Sequence, residues 1–86
     1  MVTPEQIKQW IEAGLEAAQV EIDGDGHHFN AVIVSPAFTG KSRVQQHQLV
    51  YGALGDKMKA EIHALSMRTL TPEEWEQERG SGQTIQ

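Results

Sequence analysis

Residues 38–54 read FTGKSRVQQHQLVYGAL, and the rest of the chain arranges itself around them. Ser42 followed three places later by Gln45 is the grammar of a helix start: the hydroxyl accepts from a first-turn N–H while the glutamine reaches back. Val44, His47, Tyr51, Leu54 and Met58 recur at steps of three and four, which puts them on one helix face. Val50 falls at the edge of that stripe, and Leu49 points nearly the opposite way. The expectation is an amphipathic helix with Val44, Tyr51 and Leu54 packed on a sheet under Trp10 and Ile11. His47 then sits in the apolar face as a mostly buried core histidine.

Working outward, residues 3–6 (TPEQ) open a first helix, with a capping hydroxyl, a first-turn proline and Gln6 in the reciprocal capping position. Ile7, Trp10, Ile11, Leu15 and Ala18 follow on one face and predict a helix over 4–18, with Gly14 marking a close approach to the sheet. Residues 19–23 alternate around Val20 and Ile22 as a short strand, and 24–26 (GDG) form a turn. Residues 29–34 are apolar on nearly both faces, as in a central strand, and Pro36 ends them. Beyond the main helix, 63–70 alternate again as a third strand. Residues 71–74 (TPEE) repeat the opening grammar of 3–6, and Trp75 anchors a short last helix.

The order is helix, strand, strand, helix, strand, helix. A tight turn makes the first two strands antiparallel, and a helical crossover makes the second and third parallel and right-handed. The expected architecture is α/β: a three-stranded mixed sheet, order one-two-three, with helices on one face.

Eighty-six residues make room for one small core, so 1–79 is read as a single domain and 80–86 as a disordered tail. No run approaches the ~18 apolar residues of a membrane span. The N-terminus lacks a basic-then-apolar leader pattern, and the expected location is the cytoplasm. There is no cysteine, which excludes disulfides and leaves any iron–sulfur chemistry dependent on a partner's thiolates. Seven cations against twelve carboxylates give a net charge of −5, which disfavours non-specific nucleic-acid binding.

Two places could carry chemistry. His28 opens the second strand and His63 the third, so parallel neighbours put both at one end of the sheet. Strands lie ~4.8 Å apart, which brings two imidazoles within metal-ligand range. Spacing alone is equally met, and more often, by two histidines that merely face solvent. His27, beside His28, points the other way along an extended chain. The second place is the loop Gly40, Lys41, Ser42, Arg43, where a glycine, two cations and a capped helix start make an anion site; an ordinary solvated loop is the plainer reading. It lies at the opposite end of the sheet. No nucleophilic triad, phosphate-binding glycine loop or paired catalytic carboxylates are present, so no enzyme is expected.

The segments PAFTGKSRVQQHQLVYGAL, IHALSMRTLTPEEW and VEIDGDGHHFNAVIVS resemble the BolA family, and GDGHHF with the short length resembles its bacterial IbaG (YrbA)-like subgroup. The likeness covers residues 3–79, nearly the whole domain. It implies a fold like a class II KH domain, in agreement with the topology above. It also implies a monothiol glutaredoxin partner and a two-iron two-sulfur cluster shared with that partner and glutathione. His63, in the IHAL segment, matches the family's histidine ligand. His28 matches the ligand position between the first two strands, with His27 as the alternative. Alone, the chain would hold no cofactor and be a monomer or weak homodimer. The family is further linked to stress responses, acid stress included, and in some members to DNA binding and transcription control. That second role would use the main helix with Lys41, Ser42 and Arg43, although residues 40–43 lack the second glycine of a KH-type GxxG loop.

Overall fold

The computed structural model describes residues 2–58 and 64–84. In chain order it contains α1 (Pro4–Gly14), β1 (Gln19–Gly24), β2 (Phe29–Val34), a 3-10 turn (Pro36–Phe38), α2 (Arg43–Leu54), β3 (Leu65–Leu70) and α3 (Pro72–Thr84). β1 pairs antiparallel with β2, from Gln19 opposite Val34 to Gly24 opposite Phe29. β2 pairs parallel with β3, from Phe29 opposite Leu65 to Val34 opposite Leu70. The sheet order β1-β2-β3 is the one the connections dictate.

All three helices start where their side chains say they should. Thr3 with Gln6 and Ser42 with Gln45 form reciprocal capping boxes. Thr71 and Glu74 form the same pair, the Glu74 N–H donating to the hydroxyl and the Thr71 N–H to the carboxylate. Each box satisfies two backbone donors that a helix start leaves unpaired.

The helix ends are less legible. α1 stops at Gly14, short of the expected residue 18, because Leu15 turns extended and Ala17 takes a positive φ of 47°. Gly14 does mark a close approach, but to α2 and not to the sheet. A Cβ there would lie 2.6 Å from the Ala53 Cβ, so the glycine lets α1 and α2 cross almost backbone to backbone. β3 is Leu65–Leu70, with Ala64 in a 3-10 turn; the expected start at His63 lies outside the described residues. α3 runs to Thr84, into the segment 80–86 expected as a tail.

The largest correction concerns the phase of α2. Its buried residues are Gln46, Val50 and Leu54. Val44 is 65% exposed and Tyr51 43% exposed, while Leu49 is half-buried against the core. The helix is turned by about one residue, roughly 100°, from the expected setting. Two forces select the observed one. The Gly14–Ala53 crossing brings the Leu49/Ala53 side toward α1. Gln46, which a hydropathy pattern cannot count as core, is drawn inward by hydrogen bonds.

α1 and α2 lie together on one face of the sheet. Ile7, Ile11, Val50 and Leu54 pack there on Val20, Phe29, Ala31, Ile33 and Leu65, and Phe38 and Met58 close the ends. By strand alternation Glu21, Asn30, Val32, Ser66 and Arg68 look the other way and line an open groove. α3 follows β3 back along the sheet: Trp75 lines a cleft with Val34, and Arg68 is clasped by Glu78.

Candidate functional site

The loop between β1 and β2 is built by a carboxylate. Asp25 Oδ1 accepts from the backbone N–H of His27 at 2.8 Å and of His28 at 2.9 Å, and the Asp25 N–H donates to the His28 carbonyl at 3.2 Å. Gly26 takes a φ of 93°, which a side chain would resist. Gly24 is required by crowding, since a Cβ there would stand 2.4 Å from the His28 oxygen. The backbone of His28 is therefore fixed, while both His27 and His28 remain exposed.

The two N–H donors hold the Asp25 carboxyl below its ordinary value, His28 contributing more than His27. The bracket is intact above the ordinary carboxyl pKa of 3.8 and is lost as the pH falls through the lowered folded value. Amide exchange should report this in the free protein. The His27 and His28 N–H groups should be protected above that range and lose protection together below it, and Asp25→Ala should remove it at every pH. Unchanged exchange in Asp25→Ala would refute the bracket.

His28 immediately precedes Phe29, and Phe29 is the register partner of Leu65. The start of β2 and the start of β3 thus share one end of the sheet, as the sequence requires. His63 stands two positions before Leu65 in the sequence and lies outside the described residues. Among the described residues no three His, Cys, Asp or Glu side chains gather at metal-binding distance. With no cysteine in the chain, this end can offer imidazole but no thiolate. Such a donor set suits one side of a metal centre shared with another protein, not a closed site of its own. Asp25 Oδ1 accepts both loop N–H groups, which ties that oxygen to the backbone.

The second place, at the other end of the sheet, is also held by hydrogen bonds. Gly40 has a φ of 77°, and the Lys41 N–H donates to the Phe38 carbonyl at 3.2 Å. Gln46 ties the loop down from inside. Its Nε2 donates to the carbonyls of Phe38 and Lys41 at 3.2 and 3.1 Å, and its Oε1 accepts from the buried Thr69 hydroxyl at 2.6 Å. Lys41, Ser42 and Arg43 are exposed on this fixed frame. From residue 26 to residue 55 the chain carries no carboxylate side chain, and Lys41 and Arg43 are its only Lys or Arg side chains there.

His47 is half-buried rather than mostly buried, and its Nε2 is buried without a hydrogen-bond partner among the described residues. Sequence reasoning missed Asp25, Gln46 and Thr69. An Asp-Gly pair before two histidines was a usable sign of the first; nothing in the sequence flagged the other two.

A model of the BolA-like protein family matches residues 7–74. The chain belongs to the BolA family. A solved bolA protein homologue from Coxiella burnetii is 53% identical to this BolA-like chain, with a TM-score of 0.80 over 88% of this chain and 99% of that one. The acid stress protein IbaG of Escherichia coli K12 is 37% identical over 75 residues, covering 86% of this chain and 89% of its own. The DNA-binding transcriptional regulator BolA of the same strain is 29% identical, covering 88% of this chain and 82% of its own. The three helices and mixed three-stranded sheet are those of solved BolA structures, and the relatives' names are those of a stress protein and a regulator, not of an enzyme. No helix among the described residues is long and apolar enough to cross a membrane.

Proposed function

We propose that this BolA-like chain is a non-catalytic cytoplasmic adaptor. It docks on a monothiol glutaredoxin and co-ligates a two-iron two-sulfur cluster with that partner and glutathione, serving iron–sulfur trafficking, iron homeostasis and the response to acid stress. His63 and His28 are the imidazole ligands, with His27 the alternative to His28. The cluster would supply the visible chromophore and the link between the two proteins. The chain's own residues hold one imidazole out on a rigid loop and leave thiolate ligation to the partner. The observation that carries this reading is the exposed His28, braced by Asp25 beside the paired starts of β2 and β3.

Mixing the apo-protein with cluster-loaded glutaredoxin and separating by size tests docking and identifies the loop ligand. Wild type should co-elute with the loaded partner. His28→Ala should weaken co-elution and His27→Ala should not; the reverse order would assign His27. No loss with either would remove the loop from the ligand set.

A second reading is a nucleic-acid-binding regulator that uses α2 with Lys41, Ser42 and Arg43. It is favoured by the carboxylate-free stretch that carries those two cations, and by the name of the E. coli relative. If Lys41 and Arg43 contact phosphates, log affinity should fall by about 0.9 per log unit of salt for each contact. Binding that ignores salt, or that survives Lys41→Ala with Arg43→Ala unchanged, would end this reading.

A further inference from the structure

α3 carries its charge on one short run. Glu73, Glu74, Glu76 and Glu78 fall within six residues, and the helix leaves β3 directly through Thr71 and Pro72. Glu74 and Glu78, one turn apart on one face, line a single cleft at the outer edge of β3 together with Arg43 of α2 and Arg68 of β3. Arg68 grips Glu78 with both arms, Nη1 donating to Oε1 at 2.9 Å and Nη2 to Oε2. The hydrogen bond and charge of Glu78, with a smaller contribution from Glu74, push the Arg68 guanidinium pKa further up. Both partners stay partly exposed, at 54% and 38% of their side chains.

We infer that the Arg43–Arg68 cleft is a phosphate-contact site for nucleic acid, and that the acidic face of α3 occupies it in cis as a competitor. The guanidinium fork fits phosphate and carboxylate alike, so the Glu78 clasp demonstrates an anion in the fork. An exposed ion pair contributes little net stability, so the carboxylate is displaceable. Nucleic acid fits better than an acidic peptide because the cations continue past the cleft. Lys41, two residues before Arg43 and outside the cleft, lines a separate surface with Gln45 and Gln48, and Tyr51 on the same helix offers an exposed ring for a base. The arrangement accounts for a basic loop on a chain of net charge −5: a bound phosphate chain takes over contacts that α3 holds when free. The inference rests on the second reading above.

The test compares binding of a short fluorescein-labelled DNA duplex by wild type, Glu74→Gln/Glu78→Gln, the same pair with Arg68→Ala, and the control Glu5→Gln/Glu12→Gln on α1. Glutamine at position 74 still completes the capping box, and circular dichroism verifies that α3 persists. The cleft variant should bind on the order of tenfold more tightly than wild type, with a salt slope steeper by about 0.9 for each phosphate gained. Adding Arg68→Ala should return it to the wild-type level, and the α1 control should gain little. Equal affinity of wild type and the cleft variant, or an equal gain from the α1 control, overturns the competition while leaving nucleic-acid binding by Lys41 and Arg43 standing. No binding by any form at low salt overturns both. Displacement of the duplex by a poly-glutamate peptide at lower concentration than by unlabelled DNA overturns the choice of nucleic acid as occupant.

Discussion

Leu54→Ala should destabilise the protein by about 2–5 kcal/mol, the range for emptying a fully buried leucine site. Leu54 has no exposed surface and sits in the layer between α2 and the sheet, with Val50 and Met58 in the same cluster. Val44→Ala should be nearly neutral, because Val44 is 65% exposed. Leu49→Ala should fall between the two, since Leu49 is half-buried against the same core. Denaturant titration of the three variants reads the phase of α2 directly. A loss at Val44 comparable to that at Leu54 would restore the phase expected from hydropathy alone and refute the observed one.

Gln46→Leu should be the second costly change, although it makes the residue more apolar. It would strand the Thr69 hydroxyl and take the side-chain donor from the Lys41 carbonyl, while the Phe38 carbonyl would keep only the Lys41 N–H. A buried polar group without a partner costs about 1–3 kcal/mol. Replacing both ends of the side-chain bond, as Gln46→Leu with Thr69→Val, should recover part of the loss. Full stability of Gln46→Leu alone would contradict the network. Because the same glutamine pins residues 38–41, the single variant should also raise amide exchange in the Gly40–Arg43 loop.

These two positions show where the sequence is and is not informative. Helix starts were legible because a cap is local: Thr3, Ser42 and Thr71 each find a partner three residues on. Sheet order and strand direction were legible because a tight turn and a helical crossover leave few alternatives. The α2 phase was not, because it depends on Gly14 meeting Ala53 and on a glutamine bonded to Thr69, 23 residues away. No local pattern encodes such contacts. The Arg68–Glu78 pair was invisible for the same reason. At the candidate site the sequence identified His28 and its place at the sheet end. The reason His28 is held there, the Asp25 bracket, emerged only with the backbone. The ligand role of His63 rests on the family likeness and on strand order.

The central claim is that His63 ligates a cluster shared with glutaredoxin. It is tested most directly by the visible absorption and circular dichroism of cluster-loaded glutaredoxin mixed with apo-protein. Exchanging a histidine ligand alters the electronic environment of the iron. Wild type should therefore shift the spectrum, His63→Ala should give a different one with its far-ultraviolet fold signal unchanged, and His28→Ala should differ more weakly. Identical visible spectra for wild type and His63→Ala would contradict the account.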